Sequence, residues 1–85
     1  MREGRGSFRE LVRAITQMKT EAQVEDFLFG ILTPRELDEI STRLQIVKML
    51  KQGFKQESIV KELRVGISTV TRGSREIRKG HFKYV

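Results

Sequence analysis

The sequence predicts a small all-α domain of about five helices, and three observations carry that expectation. Apolar residues recur at three- and four-residue intervals over most of the chain, the spacing of a helical face. Residues that open and close helices bracket those stretches. A single proline, with abundant Leu, Ile, Glu and Lys, favours helix.

After a Gly- and Arg-rich start, Ser7–Met18 places Phe8, Leu11, Val12, Ile15 and Met18 on one face, with Ser7 as N-cap. Thr20 restarts the pattern, and Gln23 three residues on completes a capping box. Val24, Phe27, Leu28 and Ile31 supply the apolar face of this second helix, and Phe29 adds a large ring beyond what one protomer covers. Thr33-Pro34-Arg35-Glu36 is the clearest start signal: a capping threonine, a proline at the first helical position, and a glutamate to close the box. The helix it opens should run to about Gln52, with Gly53 as the C′ residue. Its stripe of Leu37, Ile40, Leu44 and Val47 is widened by Ile46, Met49 and Leu50, as in a helix packed on more than one side. No repeat, low-complexity tract or long linker divides the chain, so residues 1–85 read as a single domain whose core helices span 7–52.

Composition narrows the function. Lys+Arg number 17 against 11 Asp+Glu, a formal net charge of +6 at pH 7 over 85 residues. A chain this short buries only about 60–65% of its unfolded surface, so a core shared with a second copy is expected. No cysteine is present, which excludes a disulfide framework and thiolate metal ligation and fits a reducing, cytoplasmic compartment. No apolar run approaches the roughly 20 residues of a membrane span, and no signal-peptide stretch follows MREGRGSF. An enzyme is not expected. His81 is the single histidine, Asp26 and Asp38 are the only aspartates, and the glutamates are spread along helical faces without an acid–base or metal constellation. The positive excess points instead to a polyanion.

The informative stretch is Gln56–Arg72, QESIVKELRVGISTVTR. It reads as a short helix over Gln56–Leu63, a tight turn at Arg64-Val65-Gly66, and a second helix from about Ile67. Ile59, Val60, Leu63, Val65 and Val70 are spaced to bury the angle between the two, the arrangement of a helix-turn-helix. The second helix of that motif enters the major groove by its N-terminal end. There Ser68, Thr69 and Thr71 offer hydroxyls to base edges or phosphates, and the N–H groups of the first turn favour phosphate. Arg72, Arg75, Arg78, Lys79 and Lys83 follow, opposed only by Glu76, which leaves four net positive charges. Other readings exist for each part: two short helices meeting at a glycine give a similar pattern, Arg64 stands where such turns often carry glycine, and a basic tail suits a solvated face. Motif and charge together favour double-stranded DNA. A second basic group, Arg2, Arg5, Arg9 and Arg13, offset by Glu3 and Glu10, suits either DNA or solvent.

Leu32-Thr33-Pro34, Thr42-Arg43-Leu44, Gly53 and the run Gly66-Ile67-Ser68-Thr69-Val70-Thr71-Arg72-Gly73-Ser74 resemble the bacterial tryptophan repressor family. The resemblance covers residues 30 to 79, with GISTVTRGS its most particular part; the first helices agree in pattern only, and one residue is missing near Phe54-Lys55. It implies an intertwined, all-helical homodimer with two helix-turn-helix units, acting as a sequence-specific transcriptional repressor. L-tryptophan is the implied corepressor, bound at the dimer interface beside the recognition helix. Two half-sites about 34 Å apart must be met at once. A ligand that favours that separation shifts the population toward the DNA-competent state.

Carried over position by position, the resemblance places the indole ring between Arg43 and Arg72, with Arg72 also on the carboxylate. Planar, forked guanidinium groups suit both tasks. Arg43 equally suits a solvated helix face, and Arg72 a phosphate contact. Thr33 is placed beside the carboxylate, although capping explains it as well, and Ile46, Val47, Thr69 and Gly73 fall in the pocket lining. Carbonyls of Gly30 and Leu32 from the second chain face the ligand's ammonium. The expected DNA contacts are Gln56, Ile67, Ser68, Thr69, Thr71, Arg72 and Ser74, with Arg75, Arg78 and Lys79 on the basic tail.

Three departures bear on this. Glu76 stands where the family's best-known members carry a serine near the ammonium, and a carboxylate there either pairs with that ammonium or displaces the ligand. Glu57 and Val60 stand where those members have basic DNA-contacting residues, so the operator is expected to differ. Little chain follows Gly80, where the family continues into a bracing helix. Two alternatives stay open: the same fold answering to another small molecule or none, and a basic helical adaptor for an acidic protein. Hydroxyls directly after the turn favour DNA over the adaptor.

Overall fold

The computed structural model describes residues 3–85, with side chains from residue 6 onward. Arg2 lies outside the described residues, as do the side chains of Glu3 and Arg5. Five helices and no strand occur among the described residues: α1 Glu3–Thr16, α2 Glu21–Ile31, α3 Pro34–Lys51, α4 Gln56–Leu63 and α5 Ile67–Arg78. The all-α prediction therefore holds. The helices fall into two compact units, Met1–Pro34 and Arg35–Val85.

In the first unit, α1 departs from expectation at both ends. It begins at Glu3, so Ser7 is an interior residue rather than the N-cap, and it stops at Thr16, short of Met18. Helix growth is cooperative, and a glycine subtracts only about 1 kcal/mol, so Gly4 and Gly6 do not block extension from the amphipathic stretch. The end is closed locally. The Thr16 hydroxyl and the Gln17 N–H both donate to the Arg13 carbonyl, at 2.9 and 3.1 Å. Thr20 caps α2 as expected, its Oγ1 accepting from the Gln23 N–H at 3.1 Å. The Gln23 side chain reaches one residue further back than a capping box requires, accepting from the Lys19 N–H at 2.8 Å. No described residue of this unit is fully buried, and Phe8 and Phe29 remain 64% and 65% exposed.

The second unit is organised by its ends. Pro34 is the first residue of α3. At the far end Gly53, at φ 95°, lets the chain reverse: its N–H donates to the Leu50 carbonyl at 3.0 Å and that of Phe54 to Met49 at 3.1 Å. That pair of bonds is the Schellman motif, which satisfies two carbonyls the helix leaves open. α4 ends at Arg64 in the left-handed conformation, φ 56° and ψ 49°, with its N–H donating to the Val60 carbonyl. Val65 donates to the same carbonyl at 3.3 Å, and Gly66 leads into α5.

The turn brings three helices onto one small core. Ile46 of α3, Ile59 of α4 and Val70 of α5 are buried, and Met49, Leu50, Val60, Leu63 and Val65 pack around them. Full burial of such a side chain contributes about 1.5–3 kcal/mol, so these few residues fix the angle between α4 and α5. α5 lies close to α3 at Gly73, where a Cβ would stand 3.3 Å from Ile46 Cγ2. No helix among the described residues is long and apolar enough to cross a membrane.

Candidate nucleic-acid interface and ligand pocket

Helical spacing divides α5 into faces with different neighbours. Val70 and Gly73 turn toward the core. Ser68, Thr71, Arg75 and Arg78 follow one another at three- and four-residue steps and so share a second face. Ile67, Ser68, Arg72, Arg75, Arg78 and Lys79 are exposed, and Thr71 and Ser74 are half-buried. Gly66 supplies no side-chain cap, and the first turn of α5 holds no acidic residue. Its N–H groups and the positive end of its dipole therefore suit an anion.

Several expected DNA contacts also bond within the chain. Thr71 Oγ1 donates to Gln56 Oε1 at 3.2 Å, which ties the start of α4 to α5. A hydroxyl that donates keeps lone pairs for a second partner, so Thr71 can still accept. Arg78 Nη1 donates to Ser74 Oγ at 2.9 Å, one turn back along α5. Glu76 is engaged locally: its carboxylate oxygens lie 3.4 Å from Lys79 Nζ and 3.6 Å from His81 Nε2.

The third face of α5 borders a cavity of about 360 Å³ shared with α3. Thr69, Arg72 and Gly73 line it from α5, and Arg43, Ile46 and Val47 from α3. Those six were all expected around a ligand, and the fold brings them together. Arg43 and Arg72, from different helices, thus border one largely apolar cavity, a combination suited to a planar ring bearing a carboxylate. Glu76 is not among the lining residues. Thr33, Gly30 and Leu32 belong to the first unit; Leu32 closes α2, its N–H donating to the Leu28 carbonyl at 3.0 Å.

Four lining residues escaped the sequence reading: Ile40, Leu44, Phe82 and Val85. The first two were visible as an apolar stripe but carried no sign that the stripe borders a cavity. Phe82 and Val85 had no local signal, because they arrive through a turn after α5. No group of His, Cys, Asp or Glu able to hold a metal occurs among the described residues.

Comparison with known proteins gives the same direction. The sequence matches the family model of the Trp repressor protein over residues 6–85. A Trp operon repressor homolog of Vibrio cholerae is 35% identical over 72 residues, covering 84% of this chain and 70% of its own length. The Trp operon repressor homolog of Vibrio campbellii is 33% identical over 72 residues, 84% of this chain and 72% of the relative. That of Actinobacillus succinogenes is 37% identical over 59 residues, 68% of this chain and 58% of the relative. No solved structure matches.

Proposed function

The chain belongs to the Trp repressor family, and from that premise we propose that it is a transcriptional repressor that reads double-stranded DNA with α5 and answers to L-tryptophan. In this reading the protein works in the cytoplasm, with 7–52 as the core and dimerisation helices and 56–79 as the reading head. The observation that carries the reading is the cavity behind α5 that Arg43 and Arg72 both line, next to a face of α5 bearing Ser68, Thr71, Arg75 and Arg78. In this reading Arg43 and Arg72 hold the indole ring and Arg72 the carboxylate, with Thr69, Ile46 and Val47 closing the sides. Ser68 and Thr71 meet base edges, and Arg75, Arg78 and Lys79 meet phosphates. Phosphate contacts position the helix and base contacts select the sequence.

A second copy is part of the proposal. Phe8, Phe29 and Ile31 in the first unit, and Ile40 and Leu44 in the second, are large apolar residues left exposed. Scattered singly they need no explanation, but patches on several helices suit burial against another protomer.

Calorimetry with L-tryptophan, followed by fluorescence anisotropy on operator-length duplexes with and without it, tests the reading. Specific binding should strengthen with the amino acid. Absence of heat and of any thermal shift at millimolar ligand sinks tryptophan control, and equal affinity for every duplex sinks the specific repressor. A second reading, the same repressor with another effector, draws on Glu76, which stands where the family's best-known members carry a serine. Titration with tyrosine, phenylalanine and indole derivatives separates the two.

A further inference from the structure

The segment after α5 folds back on the molecule. Gly80, at φ 102°, and Phe82, at φ 66°, both take left-handed backbone. Glycine does so freely, whereas a bulky residue does so only where surrounding contacts hold it. The contact here is visible. Lys51 Nζ, on the last residue of α3, donates to the carbonyl oxygen of Phe82 and to a main-chain oxygen of Val85, both at 2.7 Å. The His81 N–H donates to the Glu76 carbonyl at 3.1 Å and fixes the start of the strap.

The strap sorts its side chains. Tyr84 is 99% exposed, while Phe82 is half-buried and, with Val85, borders the cavity of Arg43 and Arg72. With the strap in place the cavity still measures about 360 Å³, within the range of about 300–1,000 Å³ found for small-molecule sites. The strap therefore walls the cavity without filling it.

We propose that residues 81–85 are a latched wall of the effector pocket, in which Phe82 packs against the edge of an aromatic amino acid's ring and Lys51 holds the wall in place. The proposal rests on reading the cavity as an effector site. Phe82 is then a ligand-contacting residue, and Lys51 is a positioning residue that acts through it. Loosening the strap removes one wall of the occupied site, so Lys51 affects the dissociation rate more than the association rate.

Two measurements test it. In the free protein, nuclear Overhauser contacts should join the Phe82 ring to methyl groups of Leu44 or Val47; Lys51→Met should abolish them and Lys51→Arg should keep them. Their absence from the wild type overturns the latch whatever the effector is. In calorimetry and stopped flow with L-tryptophan, Phe82→Ala should weaken binding about tenfold, near 1.4 kcal/mol. Lys51→Met should speed dissociation at least threefold with little change in association, and Lys51→Arg should restore it. Phe82→Ala binding as tightly as the wild type, or more tightly, overturns the wall, since the strap would then be a bystander or a competitor. Contacts present in a wild type that binds no aromatic amino acid overturn the effector reading itself, and the pocket-wall role with it.

Discussion

Arg64→Gly should stabilise the protein, and the expected size follows from the turn between α4 and α5. Arg64 sits at φ 56° and ψ 49°, a conformation that costs a residue with a Cβ about 1–2 kcal/mol. Glycine removes that cost but loses about 0.5–1 kcal/mol more conformational freedom on folding. The central difference is a gain of about 0.75 kcal/mol. The bonds to the Val60 carbonyl come from backbone N–H groups and survive the change. The Arg64 side chain is exposed, so little packing is lost. Arg64→Ala retains the Cβ and should gain nothing, and Arg64→Asn should fall between, since asparagine tolerates left-handed backbone better. Urea unfolding at fixed protein concentration measures the series, because self-association would make the midpoint move with concentration. With a denaturant slope of about 1 kcal/mol/M, the glycine variant's midpoint should rise by about 0.5–1 M. The thermal midpoint should rise by about 2–8 °C. A lower midpoint for glycine, or an equal gain for alanine, would refute the argument from backbone strain.

Other expectations address the core and the two faces of α5. Ile59→Ala, at a position with no exposed surface, should cost about 2–5 kcal/mol and, measured by chemical unfolding, loosen the helix-turn-helix. Thr71→Val removes the bond to Gln56 and should cost about 0.5–1.5 kcal/mol; a double-mutant cycle with Gln56→Leu showing no coupling would deny that bond any energetic role. Arg72→Ala should weaken both ligand and DNA, whereas Arg43→Ala should weaken the ligand alone; calorimetry and anisotropy read the two separately. Because Glu76 is held by Lys79 and His81 outside the cavity lining, Glu76→Ser should change tryptophan affinity less than about threefold. A tenfold gain would show that the carboxylate obstructs the site.

What was legible in the sequence was local. Pro34 opens α3 and Gly53 closes it because proline and glycine impose their conformations on their own backbone. Ile59 and Val70 were recognisable as core because helical spacing places them on facing surfaces. The start of α1 was misplaced at Ser7, since a serine that can cap need not do so when the helix extends past it. The Gln23 side chain found Lys19 rather than the position a capping box assigns, a choice between adjacent N–H groups that pattern does not encode. Six residues of the cavity were reachable through family resemblance, yet Phe82 and Val85 were not. Their placement depends on Lys51, more than thirty residues away along the chain, and no periodicity carries information over that distance. The pairing of Thr71 with Gln56 is hidden for the same reason.

The division of α5 into faces has a mechanical consequence. Thr69 and Arg72 border the cavity while Ser68 is exposed and Thr71, half-buried, bonds to Gln56, all on a single uninterrupted helix. Such a helix behaves as a spindle. A twist of about 10° about its axis carries side-chain atoms at a radius of about 5 Å through roughly 1 Å. That displacement separates a good hydrogen bond from a poor one. A molecule wedged against Arg72 would therefore shift Ser68, four residues back along the same helix, with no hinge and no unfolding. Adaptation is constrained in the same way: a substitution that reshapes the cavity also resets the angle at which the groove is read. On the proposed function, effector choice and operator choice then have to change together.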